Sequence, residues 1–295
     1  MKKAIMLFTL LFSAVVTTAE AQSVPRTDIF VADLSVQNGQ LKLGELKNIT
    51  SRKGYDNQPY FVDDNQSLLY TSEIGEQTDI LRYNLKTQEI ENLSNSPENE
   101  YSPTPMENGT EYSVIYAVDG KQELWAYQLN GEQRRPLYSG EALIGYHAWV
   151  DDKQVLVTVL KGKGMNLQTF ESEKEQLTEV YPLTGPSLYR IPGSQNMSFN
   201  TLIDDKHWLM QLDTQTGKVQ KLVELPREAL YYTWTSDGKV IVASELQLWF
   251  WNSQAKKSTL SAFAKIGASC PSGASRLAVN TQQTKLALVC DGESF

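Results

Sequence analysis

The sequence predicts an all-β fold, a six-bladed β-propeller of four-stranded blades whose last blade is closed by N-terminal strands. Three observations carry this expectation: a repeat of about 43 residues, four β-rich runs within each repeat, and a C-terminal half-repeat that the N-terminus complements.

The repeat is anchored on short stretches that precede a turn. Three are clear: Pro59 to Asn65, Pro103 to Gly109 and His147 to Lys153. Partial copies follow at Tyr189 to Gly193, Tyr232 to Gly238 and Ser275 to Asn280. With Phe61, Pro105, Trp149, Ile191, Trp234 and Leu277 taken as equivalent, the steps are 44, 44, 42, 43 and 43 residues.

After each turn comes an apolar, β-rich run that reads as the second strand of a blade. These second strands are read at Ser67 to Ser72, Tyr112 to Ala117, Gln154 to Val159, Met197 to Ile203, Lys239 to Ser244 and Lys285 to Cys290. Third strands follow at Asp79 to Leu85, Glu123 to Leu129, His207 to Leu212 and Leu246 to Trp251. A polar turn, such as the one around Gly217, then leads into a short fourth strand, as in Val219 to Val223 and Glu89 to Leu93.

The last copy stops after two strands, near Cys290, while the N-terminal region supplies a third strand at Asp28 to Leu34 and a fourth at Leu41 to Ile49. Pairing the two halves closes the ring and removes an open sheet edge. The chain is therefore expected to be complete, with one domain over residues 22–295. Ahead of it, Lys2 and Lys3, an apolar run from Ala4 to Val16, and Ala19-Glu20-Ala21 have the order of a signal peptide covering residues 1–21. The product is expected in the periplasm or outside the cell, with no membrane insertion, because the apolar run is shorter than the ~20 residues of a spanning helix.

The formal net charge of −8 becomes −9 once the leader, carrying Lys2, Lys3 and Glu20, is removed. Such a surface disfavours nucleic acid, whose binding rests on displacing counterions with basic side chains. The two cysteines, Cys270 and Cys290, flank the first two strands of the last blade, at the same end of that pair. In an oxidising compartment a disulfide there protects the blade built from both termini; two unpaired thiols are the other reading.

These repeats resemble those of the TolB family, which read roughly Pro-x-aromatic-x-x-Asp-Gly, Asp-Ile-aromatic-x-x-Asp-Leu and Leu-Thr. The resemblance is carried by Pro59 to Asn65, Trp234 to Gly238, Asp28 to Leu34, Asp79 to Leu85, Asn48-Ile49-Thr50 and Asn92-Leu93-Ser94. It implies the scaffold and not a role in the Tol–Pal envelope system, since TolB has an additional N-terminal domain for which this chain has no room. The same repeat occurs in propellers joined to serine peptidases, but no Gly-x-Ser-x-Gly elbow is present here.

Ligands of such rings usually meet the loops at one end of the channel. Segments entering the innermost strands carry Tyr55, Tyr101, Tyr146, Tyr189 and Tyr231, accompanied by His147, Arg190, Asp56 and Glu100. Tyrosine offers an apolar face with a polar tip, which suits a peptide or sugar; the other reading packs these rings between blades. His207 occupies a scaffold slot held by Ile80 and Leu124 in other blades, and the turn carboxylates Asp63, Asp64, Asp151, Asp152 and Asp237 repeat as turn formers. No cofactor and no metal site is expected, since clustered ligand spacings are absent. The leading functional expectation is a non-catalytic module that binds a protein, peptide or envelope glycan through Tyr55, Tyr101, Tyr146, His147, Tyr189, Arg190 and Tyr231. The alternative is a metal-dependent propeller enzyme, a lactonase, lyase or hydrolase, in which His147, Asp56, Glu100 and Arg190 converge on the channel.

Overall fold

The computed structural model describes residues 26–37, 40–62, 66–227, 229–255 and 259–291. The leader expected at 1–21, and Asp63 and Asp64, lie outside these residues. The described residues are all-β, in six antiparallel sheets that form the six blades of a propeller.

Blade 1 is Asp56–Phe61, Ser67–Ile74, Gln77–Asn84 and Ile90–Asn92; blade 2 is Asn99–Pro105, Glu111–Val118, Lys121–Gln128 and Arg134–Tyr138. Blade 3 is Ile144–Trp149, Gln154–Lys161, Gly164–Glu171 and Gln176–Tyr181; blade 4 is Leu188–Arg190, Met197–Ile203, Lys206–Leu212 and Val219–Glu224. Blade 5 is Tyr231–Trp234, Lys239–Ser244, Gln247–Asn252 and Ser261–Lys265. The first strand of each blade is innermost, packing against first strands of neighbouring blades.

Blade 6 joins the two ends of the chain. Its inner strands, Ala274–Val279 and Lys285–Asp291, are extended by Thr27–Gln37, with Ile29 opposite Val289 and Phe30 opposite Leu288. The fourth strand expected at Leu41 to Ile49 is split. Gln40–Leu43 pairs with the end of Thr27–Gln37, and Lys47–Asn48 pairs with Phe30 and Val31. The break falls at Gly44, whose N–H donates to the Asp33 carbonyl at 2.8 Å and where a Cβ would sit 3.2 Å from that of Asp33.

The core is divided into interblade layers rather than pooled at a centre. Between blades 6 and 1, Ile29, Ala287 and Val289 meet Leu68, Tyr70 and Leu81. Between blades 4 and 5, Leu209 and Leu225 meet Tyr232, Trp234 and Val240. A second strand therefore contacts apolar neighbours on both faces, which is why it is buried along most of its length. All innermost strands run in one direction. The end where they begin is called the top here, and second strands finish at that same end.

Candidate functional site

Bulges in the innermost strands decide which side chains reach the axis. The register shifts at Gln58-Pro59 in blade 1, Ser102-Pro103 in blade 2, Gly145 in blade 3 and Arg276 in blade 6. An inserted residue bends the strand and re-aims its neighbours. Gln58, Ser102 and Arg276 take left-handed φ values of 56°, 54° and 65°.

At the top of the channel these bulges assemble a cage. The Arg276 Nη2 donates to the Tyr146 hydroxyl at 3.0 Å, joining blade 6 to blade 3 on the opposite side of the ring. The guanidinium carbon lies 4.8 Å from the Tyr146 ring centre and 4.5 Å from that of Tyr231, close enough for cation–π attraction. Tyr55, Tyr101 and Tyr146 line the adjoining cavity of about 290 Å³ together with Arg276, and burial raises the Tyr55 hydroxyl above the usual tyrosine range. Below it lies a small axial chamber of about 80 Å³, bordered by Tyr146, Tyr231 and Arg276 above and Tyr60 and Tyr189 below.

Of the other residues singled out from the sequence, Tyr189 and His147 border the axial chamber below the cage and the rest lie away from it. Tyr189 is not part of the top cage. Its hydroxyl donates to the Leu277 carbonyl at 3.1 Å, bridging blades 4 and 6 deeper in the ring, and it packs 5.3 Å from Tyr232. Arg190 lies at the bottom mouth, where it borders a cavity of about 260 Å³ with Trp234 and Asn280 and pairs with Glu107 at 3.2 Å. His147 is buried between blades 2 and 3, with Nε2 at 2.6 Å from Ser113 Oγ and Nδ1 without a partner. Burial pushes its pKa down to about 3, so the ring is neutral at physiological pH.

The acids are engaged between strands as well. Asp56 is fully buried and accepts from Ser72 Oγ at 2.5 Å and Arg52 Nη2 at 2.8 Å; burial raises its pKa, and these two partners oppose the rise. Glu100, also fully buried, accepts from Ser96 and from the Tyr127 hydroxyl at 3.0 Å. Burial pushes its pKa up to about 7. Asp56, Glu100, His147 and Arg190 thus occupy four separate hydrogen-bond networks, and among the described residues no three His, Cys, Asp or Glu side chains are grouped to hold a metal ion. In the turns, Asp151 accepts from the backbone N–H groups of Lys153 and Gln154, each at 2.8 Å.

Cys270 and Cys290 are joined by a disulfide, with Cα atoms 5.1 Å apart. Arg276 was the residue that sequence reasoning missed. Its signal was a lone cation inside Ser275-Arg276-Leu277, a copy of the innermost strand that is otherwise apolar or small.

These features define the class: the fold is a TolB-like six-bladed β-propeller. No protein-family profile matches the chain, and no curated protein matches it by sequence. Among solved structures it is similar to a putative TolB from Agrobacterium tumefaciens, with a TM-score of 0.67 and 12% identity over 92% of this chain and 100% of that one. It is also similar to a gluconolactonase of Xanthomonas campestris, with a TM-score of 0.62 and 11% identity over 93% of this chain and 98% of that one. A chain of a nidogen/laminin complex aligns with a TM-score of 0.60 and 12% identity over 90% of this chain and 98% of its own. At these identities the likeness is one of fold, and propellers of this shape serve both binding and catalysis. Among the described residues no helix is long and apolar enough to cross a membrane.

Proposed function

We propose that this chain is an exported, non-catalytic binding module that receives a peptide segment of a partner protein on its top face. The observation that carries the reading is the cage of Tyr55, Tyr101, Tyr146 and Tyr231 about Arg276 at the top of the channel. Tyrosine and arginine are the side chains that dominate binding energy when they border a preformed recess. The rim adds to it. Of the large apolar side chains left exposed, Ile74, Leu160, Leu183, Leu202, Leu230 and Leu246 belong to strand ends and connections at the top, and each is 40% or more accessible. Their bias to one face favours the top over the bottom as the side that meets a partner. Export is supported by the leader-like residues 1–21 and by the disulfide, which suits a periplasmic or extracellular setting.

An envelope glycan has less support, because isolated aliphatic side chains around the mouth suit peptide side chains better than sugar hydroxyls. The enzyme alternative has less support too, because Asp56 and Glu100 are committed to hydrogen bonds within blades 1 and 2, His147 to one between blades 2 and 3, and Arg190 lies at the opposite mouth. The test is a pull-down from envelope extract with the immobilised mature chain, alongside Tyr146→Ala and Tyr231→Ala. A partner that both substitutions release while the melting temperature stays within a few degrees supports the reading. Retention of every captured protein by both variants overturns it.

A further inference from the structure

Resting on that reading, we propose that Arg276 is the anchor for a carboxylate of the bound peptide, which enters the top cavity as an acidic side chain or a chain end. Arg276 is the extra residue of the bulge between Ser275 and Leu277, and its φ of 65° is a conformation that residues with a Cβ rarely adopt. Such an outlier persists where the surrounding structure dictates it, and such outliers cluster at ligand-binding sites.

Blades 1 and 2 provide the contrast. Their left-handed residues, Gln58 and Ser102, are tied to each other, since the Gln58 side-chain oxygen accepts from the Ser102 N–H at 2.8 Å and from Thr71 Oγ1 at 2.8 Å. In blade 6 the equivalent device turns a cation toward the axis. The Tyr146 and Tyr231 rings lie against the guanidinium, and the bond to the Tyr146 hydroxyl uses one N–H of the five. Among the described residues no carboxylate pairs with Arg276; the groups that act on it electrostatically are Tyr146, Tyr231 and Tyr55.

A partly dry guanidinium held between aromatic rings, with donors to spare and no counter-ion, is a receptor for an oxyanion. One fixed cation matches the single charge of a carboxylate better than the double charge of a phosphate monoester. The cavity of about 290 Å³ is at the small end of ligand pockets, so it takes a side chain or a chain end and leaves the flanking residues to the leucine-bearing rim.

The experiment selects peptides from a random displayed library against the immobilised mature chain. Each selected sequence is then synthesised with blocked ends in acidic form, with Gln or Asn replacing each acid, and in that amide form with a free C-terminal carboxylate. The expected result is that the acidic form, the free-terminus form or both bind at least about tenfold more tightly than the blocked amide form, the size of a lost charge-assisted contact. Which of the two binds identifies the source of the carboxylate. Arg276→Gln is expected to abolish that discrimination, and Arg276→Lys to restore part of it. Should Arg276→Gln fail to fold, the wild-type comparison still decides, joined by the NMR signal of the Arg276 Nε–H, which must shift with acidic peptide and not with the amide form. Peptides that bind and are released by Tyr146→Ala, yet do not distinguish acid from amide, overturn the proposal and leave the binding module standing. Failure to enrich any peptide overturns both.

Discussion

Ser113 Oγ lies 2.6 Å from His147 Nε2 and accepts from Trp149 Nε1 at 2.9 Å, so one hydroxyl of blade 2 holds two rings of blade 3. Blade 5 repeats the arrangement, with Tyr232 and Trp234 both donating to Ser198 of blade 4, at 2.9 and 2.8 Å. His147 therefore stands where Tyr232 stands, as an interblade tie.

Ser113→Ala leaves two buried ring nitrogens short of a partner, and each such loss costs about 1–3 kcal/mol. The variant is expected to lose about 2–4 kcal/mol in urea unfolding. Ser198→Ala should cost less, because it strips Trp234 while the Tyr232 hydroxyl keeps its bond to the Ser187 carbonyl at 3.3 Å. A loss below 1 kcal/mol at both sites would contradict this account of the tie.

His147 makes stability fall on acidification. Its pKa is lowered from 6.5 to about 3 by burial, so the unfolded chain takes up a proton that the folded chain refuses. The contribution is complete above pH 6.5 and disappears as pH falls toward 3, with a slope that approaches about 1.4 kcal/mol per pH unit. His147→Gln, neutral throughout, is expected to flatten the melting profile between pH 6.5 and 4. Parallel profiles for the two proteins would refute it.

Glu100 acts in the opposite direction. Burial raises its pKa from 4.5 to about 7, so the folded state favours the protonated acid. That contribution is complete below pH 4.5 and is lost as pH rises through 7. Glu100→Gln keeps a neutral group beside Ser96 and Tyr127, so its stability relative to wild type should improve from pH 4.5 to 8, by up to about 3 kcal/mol. Calorimetry at the two pH values measures this directly.

The Cys270–Cys290 bond closes a loop of sequence separation 20 within the blade that joins both chain ends. The loop-entropy relation gives about 3 kcal/mol for a loop of this length. Cys270→Ser with Cys290→Ser is expected to lower the melting temperature by several degrees while far-UV circular dichroism keeps its β signature. Equal melting temperatures with and without the bond would show that ring closure rests on strand pairing alone.

The sequence by itself determined the scaffold. Six repeats, strand runs such as Met197–Ile203 and Lys239–Ser244, and the pairing of N-terminal residues with Lys285–Asp291 were all legible. They were legible because strand periodicity, turn residues and apolar runs are local properties repeated six times. The split of the last blade's fourth strand at Gly44 was not, since it depends on a close approach to Asp33. Only the tertiary structure decided what reaches the axis. Five tyrosines were candidates for the channel mouth in sequence, yet Tyr55, Tyr101, Tyr146 and Tyr231 gather at the top while Tyr189 turns into the ring toward Leu277. The reason is that side chains alternate sides along a strand, and in the unbulged strands of blades 4 and 5 Tyr189 stands two residues before its anchor Ile191 while Tyr231 stands three before Trp234. The bulges at Gly145 and Arg276 set the directions of Tyr146 and Arg276, and through them brought blade 6 and blade 3 into contact across 130 residues of sequence.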